Sequence, residues 1–172
     1  IQTVPLYKTT TRDTVRPIGM RNPLSKLLNS LMIRENKGEL VDFLEPQQLV
    51  HCVRMMAEKE LLVRDTREEG EEEMVGVKID VKNAFNNCSA SSIITTMEEE
   101  ESLKHMAWAT ACQLAPEQPL EAGGRRWGTR RTGSTQGDSA GPPQFCVSWH
   151  PQVRVLDATL RAVGGLARFG MD

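Results

Sequence analysis

MVGVKIDVKNAFN, residues 74–86, is the stretch on which the reading of this chain turns. Val75, Val77 and Ile79 alternate with Gly76 and Lys78, the period-two pattern of a strand with one buried face. The run ends on Asp80, so a carboxylate stands where an apolar strand meets solvent. By position alone this is a strand-end or turn acid. Its company is less ordinary, because small Ala84 and aromatic Phe85 follow within five residues.

On the N-terminal side, Arg67–Glu73 is a charge-rich, solvated connection. Ahead of it a helix is expected to open at Pro46 and to carry Leu49, Val50, Val53, Met56 and Ala57 on its inner face. Earlier still, Asn22-Pro23 reads as a helix start, with Asn as cap and Pro at the first helical position. Leu24, Leu27, Leu28 and Leu31 follow at helical spacing and predict one buried stripe. Ile1–Lys8 and Val15–Met20 read as extended segments around a polar turn at Thr9–Thr14.

On the C-terminal side, Ser89–Met97 and Leu103–Leu114 predict two helices split by an acidic block. Pro119–Thr132 reads as a hairpin around Gly123-Gly124. Asp138 is expected to cap a helix whose first turn tolerates Pro142 and Pro143 and which continues through Phe145–Val155. Gly164-Gly165 breaks the next helical stretch, and Leu166–Asp172 reads as a final strand. The order of elements is mixed α+β.

A second string, GSTQGDSAGPPQF (133–145), is a glycine-rich loop ahead of a helix. Such loops are commonly plain turns. Small residues also let a ligand approach the backbone closely, and Gln136 offers both a donor and an acceptor. Just upstream, Arg125, Arg126, Arg130 and Arg131 form a basic cluster, either a solvated hairpin face or a grip on phosphates.

Composition sets the bounds. The 172 residues suffice for one substantial domain or two small lobes sharing a core. Apolar residues at 39% allow a packed interior, and aromatics at 5% leave the filling to Leu, Val, Ile, Met and Ala. The 21 basic and 23 acidic residues do not by themselves announce a nucleic-acid binder. Their distribution is uneven, with acid in Glu68–Glu73 and Glu98–Glu101. Cys52, Cys88, Cys112 and Cys146 form no C-x-x-C pair, and His51, His105 and His150 are equally scattered, which argues against structural zinc. The cysteines are expected to be reduced core residues of an intracellular protein. No apolar run has transmembrane length and no signal architecture opens the chain, so no membrane partner is expected. Both ends read as cuts in a longer reading frame.

Four strings, in order and with approximate spacing, resemble reverse transcriptase domains. They are Arg16-Pro17-Ile18, VKIDVKNAFN (77–86), TGSTQGDSAGPPQF (132–145) and FGMD (169–172). The likeness is greatest to retrotransposon enzymes without long terminal repeats, in which a segment like Glu45-Pro-Gln-Gln-Leu49 also precedes the first acidic motif. The resemblance implies polymerase right-hand fingers over 1–73. It implies a partial palm over 74–172, an antiparallel sheet packed on helices, with the hairpin 118–132 fingers-like and the thumb absent. It implies an RNA-directed DNA polymerase acting on RNA template, DNA primer and dNTPs with two Mg²⁺ ions, or Mn²⁺, and nuclear or cytoplasmic residence.

Residue by residue, Arg16 and Lys8 match the fingers contacts to the incoming triphosphate. Asp80 matches the first catalytic metal ligand, with the Val81 carbonyl assisting. Phe85 matches the aromatic gate that excludes a 2′-hydroxyl, and Gln136 with Gly137 matches the loop that positions nucleotide and template. Asp172 matches the first acid of the family's paired aspartates and would complete a two-metal clamp with Asp80, the ions about 3.5–4 Å apart. The second acid is not in the sequence, so the chain as given is expected to be inactive. Gly170 also stands where many relatives carry an aromatic. Two other readings stay open: a decayed copy that keeps the fold without catalysis, which the glutamate blocks favour, and an RNA-templated RNA polymerase, which Phe85 disfavours.

Overall fold

The computed structural model describes residues 2–7, 15–45, 48–49, 84–114, 117–135, 137–165, 167 and 169–170. The expected strand at 74–80, the acidic connection, the Thr9–Thr14 turn and most of the helix expected from Pro46 lie outside these residues.

Strands β1 (Gln2–Tyr7) and β2 (Val15–Met20) pair antiparallel from Gln2↔Met20 to Tyr7↔Val15. Arg21 and Asn22 lead from β2 into α1 (Pro23–Glu35). Here the cap is as read: Asn22 Oδ1 accepts from Leu24 N at 2.8 Å, and Pro23 occupies the first turn, where its missing N–H costs nothing. The helix stops at Asn36, which sends both its backbone N–H (3.2 Å) and its Nδ2 (2.7 Å) to Met32 O. A second helix, α2 (Lys37–Leu44), which the sequence reading did not include, starts immediately. Leu49 falls in a two-residue strand, β3 (Gln48–Leu49), rather than on a helix face.

The next described elements are helical: α3 (Ala84–Asn87), α4 (Ala90–Glu99) and α5 (Lys104–Leu114). In α4, Ser89 Oγ caps the Ser92 N–H, and Ile93, Thr96 and Met97 are buried at the three- and four-residue spacing of one helical face. In α5 the buried set is Met106, Ala107, Thr110 and Leu114, while Leu103 closes the turn between them. The glutamates between the helices point away, with Glu98, Glu99 and Glu101 exposed.

The expected hairpin is present as β4 (Gln118–Ala122) and β5 (Arg125–Arg130). It joins the first hairpin through one parallel pair, Gln2↔Glu121, giving the order β2-β1-β4-β5. Helix α6 (Gly141–Arg161) follows. Pro142 and Pro143 sit in its first turn, where N–H groups have no intrahelical partner. Pro151 is inside it, so the Val147 carbonyl receives no bond from that position. Finally β6 (Phe169–Gly170), the described part of the expected last strand, pairs parallel with β3. The architecture is therefore mixed α+β. The described strands form antiparallel hairpins with parallel joins; an antiparallel palm sheet would need residues 74–80.

The core lies among α2, α4, α5 and α6: Leu40, Leu44, Cys88, Ile93, Met97, Leu103, Met106, Leu114, Cys146 and Val147, with Met32, Ile33 and Phe145 packed on its edge. Residues before and after position 74 thus share one interior. Cys88 and Cys146 are buried in the core, as expected, but Cys112 is exposed. The largest departure is on α1. Leu24, Leu27, Leu28 and Leu31 are all exposed, Leu24 at 63%, and the residue that α1 buries is Asn29. The helix turns its Asn29 edge inward because that edge meets a buried acid. Among the described residues no helix is long and apolar enough to cross a membrane.

Candidate functional site

The loop between β5 and α6 is where sequence-distant segments converge. Its first contact is with α3. Ser134 N donates to Phe85 O at 2.8 Å and lies 3.3 Å from Cys88 Sγ, and Thr132 Oγ1 donates to Asn86 O at 3.4 Å. Gly133, at φ 79°, lies so close that an added Cβ would stand 2.4 Å from Asn86 O. Gly137, at φ 97°, presses on β2: a Cβ there would be 2.9 Å from Ile18 Cγ2 and 3.2 Å from Gly19 O. A left-handed backbone and contact distance together demand glycine. On the side where a Cβ would stand, the space is taken by the protein itself: the backbone of residues 85 and 86 at Gly133, and the Ile18 methyl with the Gly19 carbonyl at Gly137.

Asp138 was expected to cap α6. Instead the residue before that helix, Ala140, makes no side-chain cap bond, and Asp138 is turned inward with its side chain 3% exposed. Arg21 Nε lies 2.7 Å from Asp138 Oδ2. That N–H is not aimed along the contact, so the pairing is one of charge more than of a directed hydrogen bond. Direction comes from Asn29, whose Nδ2 donates to both carboxylate oxygens at 2.9 and 3.0 Å, and from Ala140 N at 3.2 Å. A buried carboxylate needs this many partners, because desolvation without them costs several kcal/mol.

The Gln113 carbonyl, in the last turn of α5, ties the same region together. A helix C-terminus carries unpaired carbonyls and partial negative charge, and so attracts cations and donors. Arg21 Nη2 (3.4 Å), Arg130 Nη2 (3.3 Å) and Gln118 Nε2 (3.0 Å) all reach it. Arg130 also donates to Gly133 O at 2.7 Å and Gln118 Oε1 at 3.1 Å. Burial, then the neighbouring charge of Arg21, lowers its proton affinity from the usual guanidinium value, against weaker opposing pulls from Cys88 and Asp138. Arg130 is thus an internal strut and not a phosphate grip. Arg131 is engaged with Glu117 at 3.2 Å on the surface.

Of the residues singled out from the sequence, Phe85 and Gly137 are described in full. Phe85 sits half-buried on α3, its ring 5.7 Å from Phe145 at 53°, and Phe145 lies 5.8 Å from Trp149 at 37°. Arg16 lies in β2 opposite Leu6. Lys8, Asp80, Val81, Gln136 and Asp172 lie outside the described residues. Among those described, no three acids, cysteines or histidines gather to hold a metal ion. Arg21 and Asn29 escaped the sequence reading. The available signal was a charged residue directly before an Asn-Pro helix start, and it named no partner.

No protein-family model, curated protein or solved structure matches the chain.

Proposed function

We propose that the chain is the fingers and part of the palm of an RNA-directed DNA polymerase, which transfers a nucleotide from a dNTP to a primer 3′-hydroxyl. The observation that carries this reading is the meeting of two motifs. The end of VKIDVKNAFN and the start of GSTQGDSAG are separated by more than forty residues, yet Ser134 N bonds Phe85 O and Gly133 lies against Asn86. A nucleotide site of this class needs the first acid, the gate and the loop within one ligand's reach. Phe85 lies in the short helix that starts at Ala84, close after Asp80 in sequence, and Ser134 and Gly133 of the loop are held beside it.

Phe85 is the gate residue in this reading. Phe145 backs its ring and is itself packed against Trp149, one helical turn along α6, which suits a side chain whose task is to hold position against a 2′-hydroxyl. The Arg21–Asp138–Asn29 cluster anchors the loop at Asp138, next to Gly137, which presses on β2, the strand of Arg16. The donor set proposed for Mg²⁺ consists of the Asp80 and Asp172 carboxylates and the Val81 carbonyl. These are hard oxygens, which suit Mg²⁺ or Mn²⁺. When bound, the ions would activate the primer hydroxyl and steady the leaving pyrophosphate.

The test is dNTP incorporation on a primed RNA template with Mg²⁺, using a protein that continues this chain through a second palm acid and a thumb. Incorporation lost on Asp80→Ala supports the assignment, and Phe85→Ala should then raise ribonucleotide use relative to dNTP. A folded protein that incorporates nothing leaves a palm-fold relic without catalysis.

A further inference from the structure

The outer end of the β4–β5 hairpin lies apart from the motifs used above. Gly123 and Gly124, at φ 57° and 74°, make the two-residue turn that suits the twist of paired strands. Beyond the turn Ala122 pairs with Arg125 and Glu121 with Arg126, and the ladder then resumes at Leu120 with Gly128. Trp127 is therefore the extra residue of a β-bulge, a device that re-aims the side chain at that point. The indole is 77% exposed. It is also held, because Nε1 donates to Ala122 O at 3.1 Å and fixes the ring by one edge.

Arg125 and Arg126 directly precede it, and both are exposed. Neither is ion-paired among the described residues, in contrast to Arg131, which meets Glu117, and Arg130, which is turned inward. Arg126 is braced by a 2.8 Å bond to Thr129 Oγ1. Glu121 lies opposite it in register, leaving two guanidiniums against one carboxylate at the tip. An apolar partner would not choose a ring flanked by two exposed cations. An acidic protein surface would use the arginines and gain little from the ring. A strand of unpaired nucleotides uses both, because bases stack on aromatics and phosphates seek guanidiniums.

We propose that the β4–β5 tip is a platform for single-stranded nucleic acid, with Trp127 stacking a base and Arg125 and Arg126 holding the flanking phosphates. β5 runs from this tip toward the 133–141 loop, and Arg130 ties its end to Gly133 O. At strand rise, Trp127 to Gly133 spans at most about 20 Å, so a bound strand reaches the loop within a few nucleotides. That the strand is unpaired template rests on the function proposed above; the binding itself does not.

The experiment is a fluorescence-anisotropy titration of the chain with a labelled twelve-nucleotide single-stranded RNA over a range of salt. Trp127→Ala is expected to weaken binding by about 5- to 150-fold, with Trp127→Phe keeping most of it. The double variant Arg125→Ala/Arg126→Ala should flatten the dependence of log K on log salt by about 1.4. Trp108→Ala removes an equally exposed indole on α5 and should change neither. Absence of binding by the unaltered chain, or a Trp127→Ala loss no greater than that of Trp108→Ala, overturns the proposal. So does a salt effect without a Trp127 effect, which describes a face for an acidic protein. The two readings part cleanly. Trp127-dependent binding without polymerisation by the longer protein sinks the polymerase and keeps the platform; polymerisation with Trp127-independent binding does the reverse.

Discussion

Helix α1 and the pair α4–α5 carry similar apolar spacing and settle differently on the same core. In α4 and α5 the periodic residues Ile93, Met97, Met106 and Leu114 are buried, and the charges between them face water. In α1 the four periodic leucines face water, while Asn29 is buried and Met32 and Ile33 touch the core. Each exposed leucine forgoes part of the roughly 1.5–3 kcal/mol that full burial supplies. Turning α1 to recover it would pull Asn29 from Asp138 and lift Met32 and Ile33 off the core. An ion pair this deeply buried loses about 3–5 kcal/mol when a partner is removed. Periodicity therefore decides which face is inside only when no buried charge on a neighbouring element has a claim on the helix.

The comparison breaks most sharply at its pivot. Asp138→Ala leaves the Arg21 guanidinium buried without its carboxylate, and unfolding in urea should show a loss of about 3–5 kcal/mol. Melting should fall by roughly 2–4 °C for each of those. Ile93→Ala, an ordinary core truncation in α4, should cost about 2–5 kcal/mol by the same measurement. Asn29→Ala should cost about 1–3 kcal/mol, since Asp138 keeps Arg21 but loses two hydrogen bonds. In a double cycle with Asp138→Ala its effect should shrink, whereas its effect should add to that of Ile93→Ala. At the bottom of the scale, Leu24→Ser and Leu28→Ser should each stay within about 0.5 kcal/mol, as surface changes do. A loss of 2 kcal/mol or more at either leucine, about what full burial supplies, would mean that α1 packs the other way round.

Much of the fold was legible in local chemistry. The Asn22-Pro23 cap, the Gly123-Gly124 hairpin and the two helices split by glutamates each depend on residues a few positions apart, and each is found. What was not legible depends on long-range pairing. The burial of Asn29 and Asp138 follows from a bond between elements far apart in the chain, and no periodicity encodes it. The four arginines looked alike as a string, yet one is a strut, one is engaged on the surface and two have no ion pair among the described residues, because strand register and a bulge sort them. In the candidate site, the nearness of Phe85 to the glycine loop was implied by resemblance. That Gly133 presses on the 85–86 backbone and Gly137 on β2 was not.

The pair Gln2↔Glu121, which joins the two hairpins, also bears on the order of folding. Each hairpin closes over a short loop and should form within microseconds. Their junction brings opposite parts of the sequence together and must wait for the helices between them, since long loop closure is costly until other contacts reward it. In pulse-labelled hydrogen exchange the β4–β5 ladder should gain protection before the β1–β4 contact does. The four-stranded sheet is then a late product, assembled from two pieces that were ready early.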